Sequence, residues 1–275
     1  MKKAYISVDF EGLEDVVSSI SAIRSGADFG VARKRLARSV NAAARACFDG
    51  GYGGVTACDG HADMENLIIE DLDPRIELIS GGMRSSLQME GIHEGYSVYI
   101  SFGHAGANLN ADGVLNHLYN GRKIYGMRLN GKTMNTETIV NATIAAHYNI
   151  PLIAIIGDSA VCREVKEFIP NVEGIEVKRG FSRYSAISVH PEVAEKRIYE
   201  GVKSALNRAS EIKPLSLGPT IEMEIDFKDS GCADTACLIP GVKRIAPATI
   251  GYKGDAETVF KLQNLIIYRL VDTAS

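Results

Sequence analysis

No run of the chain is long and apolar enough to cross a membrane, and the best stretch, Pro151 to Gly157, has the length of a buried strand. A basic excess is missing as well: the formal net charge over 275 residues is -4, which leaves no electrostatic footprint for nucleic acid or an anionic lipid surface. Neither partner is expected. The five cysteines, Cys47, Cys58, Cys162, Cys232 and Cys237, are an odd set without a C-x-x-C pair, which argues against a disulfide framework and a four-thiolate zinc site. They are expected to be reduced and to pack as small apolar residues. Met1-Lys2-Lys3 has the charge of a secretory signal but not its apolar core, because Asp9 and Glu11 interrupt the stretch that follows. Internal repeats and low-complexity tracts are also absent. What is there reads as a soluble cytoplasmic protein, 45% hydrophobic, at the size where one core begins to split into two unequal ones.

The chain is organised around Ile6-Ser7-Val8-Asp9-Phe10-Glu11-Gly12, a short apolar strand that runs straight into two carboxylates. Side chains alternate along a strand, so Asp9 and Glu11 share one side, and Gly12 lets the chain turn at once. Polar clusters with a glycine recur at later strand ends. Val55 to Cys58 leads to Asp59-Gly60-His61, and Ser97 to Phe102 leads to Gly103-His104-Ala105-Gly106. In open α/β sheets ligands collect outside the carboxyl ends of the strands, and two carboxylates there repel unless a cation or a shared proton relieves them.

Between these points the periodicity predicts helices. One carries Val31, Leu36, Val40, Ala43 and Cys47 on a single stripe before Gly50-Gly51; a short helical piece spans about Met64 to Glu70, followed by a strand Ile76 to Ser80. Lys123 to Leu129 reads as a strand, and a helix beginning near Thr133 puts Glu137 and Asn141 on one face. Pro151 to Ile156 is a core strand, and Ala160 to Ile169 is helical up to Pro170. Alternating strands and helices predict an α/β fold, a layered and mainly parallel sheet flanked by helices. The pattern changes at His190-Pro191 to a long helix, a linker from Pro214 to Pro219, and strands and helices to the end. The expected division is therefore 1-189, an α/β metal-binding catalytic domain, and 190-275, a smaller α+β domain.

Of six histidines, His61 and His104 each follow a strand and a glycine, and His117 sits in a long Asn-rich loop. His93 is a loop residue without an obvious partner, His147 suits a helix end and His190 a helix start. A single histidine after a strand is more often a satisfied structural residue than a ligand. Two of them beside Asp9 and Glu11 reverse that weighting toward zinc or a similar divalent ion, and more ligands than one tetrahedral ion needs suggests two ions sharing a carboxylate. Glu137 alone is equally explained by the helix dipole.

These stretches resemble the dinuclear zinc D-aminopeptidases of the DppA type. The likeness lies in Ser7-Val8-Asp9-Phe10-Glu11-Gly12, Asp59-Gly60-His61, Gly103-His104-Ala105, Asn116-His117 and Asn130-Gly131 leading to Glu137 and Asn141. Leu78-Ile79-Ser80-Gly81, Met89-Glu90-Gly91 and Leu238-Ile239-Pro240-Gly241 extend it along the chain, while Gly60 and Asn116 stand where the family commonly has Ser. The resemblance implies two Zn2+ per chain on Asp9, Glu11, His61, His104 and Glu137, with Asp9 bridging, and His117 as the catalytic histidine. It implies a zinc-dependent aminopeptidase that hydrolyses the N-terminal peptide bond of a short peptide such as D-Ala-D-Ala with a two-metal activated water, and a homo-oligomer, a ring-like homodecamer. Asp59 is expected to orient the metal-bound histidines. The rival readings are another dinuclear hydrolase, an amidase or a phosphatase for which only Arg84 and Arg122 lie in suitable loops, and a non-catalytic metal-binding oligomer.

Overall fold

Strands such as KAYISV and LIAIIGD are apolar on both faces, and such strands are stable only between two covering layers. In the computed structural model, which describes residues 1–82, 84–106 and 108–270, they form the centre of the fold. The chain runs β1 (Lys3–Val8), α1 (Ser19–Ala22), α2 (Phe29–Asp49), β2 (Gly54–Asp59), β3 (Ile76–Ile79), β4 (Val98–Phe102), β5 (Ile124–Leu129) and β6 (Lys132–Thr133). It continues through α3 (Glu137–His147), β7 (Leu152–Asp158), α4 (Ser159–Phe168), β8 (Glu173–Ser182), β9 (Ser185–Ser188) and α5 (Pro191–Asn207). Last come β10 (Thr220–Phe227), α6 (Ser230–Ala236), β11 (Lys243–Ala246), β12 (Thr249–Asp255) and α7 (Ala256–Leu265).

Seven strands make the main sheet in the order β3-β2-β1-β4-β7-β8-β9, all parallel except β9, which returns antiparallel to β8. Helices α2 and α5 pack against each other, and α3 packs on β4, β7, α4 and α7. This is the layered α/β arrangement. A second, antiparallel sheet has the order β11-β12-β10-β5-β6, so the strand over Lys123 to Leu129 joins it rather than the main sheet. The strands after residue 189 thus do not build that sheet by themselves, and α5 packs on α2 and β8 of the main one.

Several local expectations change. Val31 is 64% exposed, because the buried stripe of α2 is Phe29, Ala32, Leu36, Val40, Ala43 and Cys47 at three- and four-residue steps that leave Val31 outside. Only a single 3-10 turn, Ile69–Asp71, forms where a helix over Met64 to Glu70 was expected. Helix α3 starts at Glu137, four residues later than Thr133, because Thr136 caps it by accepting from the Thr138 amide at 3.0 Å. The β8–β9 hairpin has no counterpart among the sequence expectations. Cys47, Cys58, Cys162 and Cys232 are buried and Cys237 is half-buried.

Candidate metal centre

Val8, the last residue of β1, pairs with Asp59 of β2 on one side and Phe102 of β4 on the other. The residues that follow these strands therefore emerge side by side. The chain builds β2 and β3 on one flank of β1 and then crosses to β4 on the other, so the three ends meet where the strand order reverses, the usual ligand crevice of such sheets. Close approach is enforced by glycine. Gly103 has φ of +74° and a Cβ there would run into the Asp9 carbonyl, while a Cβ on Gly12 would lie 2.7 Å from the Gly103 carbonyl carbon. Gly12 is needed for space rather than for an unusual φ.

His61 Nδ1 lies 2.9 Å from Asp9 Oδ1 and 3.0 Å from Glu11 Oε2. His104 Nδ1 lies 3.3 Å from Asp9 Oδ2 and 3.2 Å from Glu137 Oε2. All five side chains are buried. Their ligand atoms form two groups of three, Asp9-Glu11-His61 and Asp9-His104-Glu137, each within 4.8 Å, and Asp9 belongs to both. Glu137 heads α3 but does not serve its helix amides: Oε1 accepts from the Tyr119 amide at 2.6 Å, and Oε2 accepts from Gln88 Nε2 at 2.5 Å. Helix-dipole compensation alone does not account for that direction.

The donor set fits a cation on two counts. His61 Nε2 is 2.7 Å from the Ala22 carbonyl, which can only accept, so the hydrogen sits on Nε2 and a neutral ring would point the Nδ1 lone pair at carboxylate oxygens. Only a proton or a metal ion reconciles that contact. Glu11 Oε2, moreover, is buried and makes no acceptable hydrogen bond, since the one hydrogen Nδ1 could carry is directed at Asp9. The second histidine is oriented in the same sense, with Nε2 2.8 Å from Ser7 Oγ, itself 2.7 Å from the Tyr99 hydroxyl.

The electrostatics follow from crowding acids and imidazoles in one dry place. Burial opposes charge on His61, but Glu11 and Asp9 outweigh it and hold its pKa well above the ordinary value. Burial likewise opposes charge on His104, and Asp9 and Glu137 bring it to about 9. For Asp9, burial and the neighbouring Glu11 raise the pKa more than the two histidines lower it. Burial also pushes Glu11 and Glu137 up, yet His61 for the first and His104 with His117 for the second leave both lowered. Each histidine thus holds a proton where a metal would bind, and uptake of metal displaces it.

His117 stands beside this cluster. Its Nδ1 lies 2.7 Å from the Leu115 carbonyl, which directs Nε2 to within 3.9 Å of Glu137 Oε1. Burial works against its charge, but Glu11 and Glu137 raise its pKa overall. A cavity of about 580 Å³ opens here, lined by Glu11, His61, His117, Tyr119 and Tyr268 among others. Asp59 reaches neither imidazole ring and touches His61 only through its backbone amide, 3.4 Å from Asp59 Oδ1. Its carboxylate accepts from the amides of Asn66 and Leu67 at 2.5 and 2.7 Å and shapes the loop after β2, leaving orientation to Ala22 and Ser7. Sequence reasoning passed over Gln88, Tyr119 and Tyr268. Gln88 directly precedes the Met89-Glu90-Gly91 motif, the one signal that pointed near it; Tyr268 follows α7 and lies outside every motif.

The model of the peptidase family M55, described as D-aminopeptidase, matches residues 1–265. A D-aminopeptidase of Bacillus subtilis (strain 168) is 28% identical over 244 residues, covering 88% of this chain and 87% of that protein. Among solved structures, the Zn-dependent D-aminopeptidase DppA from Bacillus subtilis, a self-compartmentalizing protease, superposes with a TM-score of 0.94 at 25% identity over 98% of both chains.

Proposed function

Because the chain belongs to the D-aminopeptidase family and is a metallo-aminopeptidase, a hydrolase, we propose that it removes the N-terminal residue of short peptides, D-Ala-D-Ala among them, at a centre for two zinc ions. The observation that carries this reading is the sharing of Asp9 by two donor groups, one completed by Glu11 and His61 and the other by His104 and Glu137. Five donors exceed what one tetrahedral ion uses. Zinc held there supplies a water of lowered pKa and a Lewis acid for the scissile carbonyl.

The chain's own groups do the rest. Asp9, Glu11 and Glu137 provide the negative charge that retains the ions, and Ala22 and Ser7 keep both imidazoles turned toward them. His117 keeps Nδ1 on the Leu115 carbonyl and presents Nε2 to the cavity, where Glu11 and Glu137 favour its protonated form. It donates that proton as charge develops on the carbonyl oxygen or the departing amine. Self-compartmentalization in that relative supports assembly of this chain as a homo-oligomer; the reading of a homodecamer, and of a cytoplasmic protein, rests on the sequence and its family resemblance.

The experiment pairs zinc content with turnover of D-Ala-D-Ala in wild type and His117→Ala. The variant is expected to keep about two zinc ions per chain while kcat falls by about 10² to 10⁴, the usual effect of losing a positioned proton donor. Near-normal turnover would remove His117 from catalysis. Loss of zinc would move it into the metal shell instead.

A further inference from the structure

The cavity carries positive charge that hydrolysis itself does not use. Arg122 and Arg183 line it together with Glu11, His61 and His117. Arg183 is already committed: Nη1 donates to both the carbonyl and the side-chain oxygen of Asn116, and Nε to the Tyr184 hydroxyl at 3.0 Å. Arg84 is committed too, with Nη1 2.7 Å from the Asp59 carbonyl. The Arg122 guanidinium has no hydrogen bond or ion pair among the described residues; only its amide is used, donating to Asn120 Oδ1 at 3.3 Å.

The turn that carries Arg122 is packed directly on the candidate proton donor. A Cβ at Gly121 would lie 2.8 Å from the Cβ of His117, so glycine is what allows Arg122 to begin one residue from that contact. Lys228 Nζ fixes the turn from behind by donating to the Gly121 carbonyl. Arg122 is exposed, as a solvated surface arginine would be, and it stands in the wall of the cavity that contains His117.

We propose that Arg122 binds the terminal carboxylate of the substrate, so that the enzyme distinguishes a free C terminus from a blocked one. This rests on the aminopeptidase reading. A guanidinium recognises a carboxylate bidentately, which fixes orientation as well as charge. An extended chain advances by at most about 3.6 Å per residue, so the cavity that Arg122 shares with His117 holds only a short peptide between the two. The volume of about 580 Å³ suits a ligand of that size.

The test compares D-Ala-D-Ala with its C-terminal amide on zinc-loaded wild type, Arg122→Ala and Arg122→Lys. On the free acid, Arg122→Ala should raise KM by about ten- to a hundredfold with little change in kcat, while on the amide it should stay within about twofold of wild type. Arg122→Lys should restore part of the loss. Equal losses on both peptides, or no loss on either, overturn the proposal. Cleavage of the amide by wild type reads the aminopeptidase activity separately. If wild type cleaves neither peptide, that reading fails on its own, and calorimetric binding of D-Ala-D-Ala to wild type and Arg122→Ala decides the carboxylate site, equal Kd values overturning it.

Discussion

Asp9 is the residue on which both donor groups depend, and its environment shows why one carboxylate can serve two. Oδ1 faces His61 and accepts from the Phe10 amide at 2.8 Å, while Oδ2 faces His104. Removing it takes one donor from each group at once. Asp9→Ala is therefore expected to lower zinc from about two per chain to near zero, whereas His61→Ala should lower it to about one. Full zinc content in Asp9→Ala would defeat the bridge. Asp9, Glu11, His61 and His104 were legible as metal candidates because strand alternation and strand-end placement are local properties. Two groups that hold these side chains in place were not: Ala22 orients His61 through its backbone, which any residue could offer, and Gln88 reaches Glu137 across 49 positions of sequence.

At the level of elements, the β8–β9 hairpin does what no motif announced. Lys178 of β8 is buried and its Nζ donates to three carbonyls of the turn after β1, those of Glu11, Leu13 at 2.9 Å and Val16 at 2.6 Å. The Asp15 amide donates to Ser188 Oγ of β9 at 3.0 Å, so the hairpin grips the Glu11 turn twice. Lys178→Met removes all three donors and leaves buried carbonyls unpaired. The expected result is about one zinc ion per chain, with the Asp9-Glu11-His61 group impaired, and a lowered thermal midpoint. Normal zinc content together with a normal midpoint would show that the turn holds itself. Strands such as β1, β2, β4 and β7 could be read because each is a short apolar run bounded by glycine or polar residues. The hairpin escaped because its first strand, EGIEVKRGFS, mixes exposed charge with a buried lysine whose partners lie more than 160 residues away.

At the level of the whole molecule, the second sheet joins β5 and β6 to β10 across some ninety residues, a pairing that a change of pattern at His190-Pro191 cannot disclose. The packing of layers has a second product in Glu14. It is fully buried where the turn after β1 meets α2, α5 and β8, and neither carboxylate oxygen has an acceptable hydrogen bond. The charged groups that face it are Arg35 of α2, Lys178 of β8 and Glu195 of α5, but Arg35 is paired with Asp15, Lys178 with carbonyls, and Glu195 with Arg38. Burial accordingly dominates and raises the Glu14 pKa to about 7 from an ordinary 4.5. A folded pKa above the unfolded one means that the native state binds the proton more tightly. Its contribution to stability is complete below about pH 4.5 and is lost as pH rises through about 7, by about 3 kcal/mol at 1.36 kcal/mol per unit. Glu14→Gln cannot ionise, and any cost of its amide is independent of pH. The variant should therefore gain on wild type by about 3 kcal/mol between pH 4.5 and pH 8, read as the difference in unfolding free energy from urea titrations of zinc-loaded protein. A constant difference across that range would mean that Glu14 is ionised throughout, held by Arg35 and Lys178 despite their other partners.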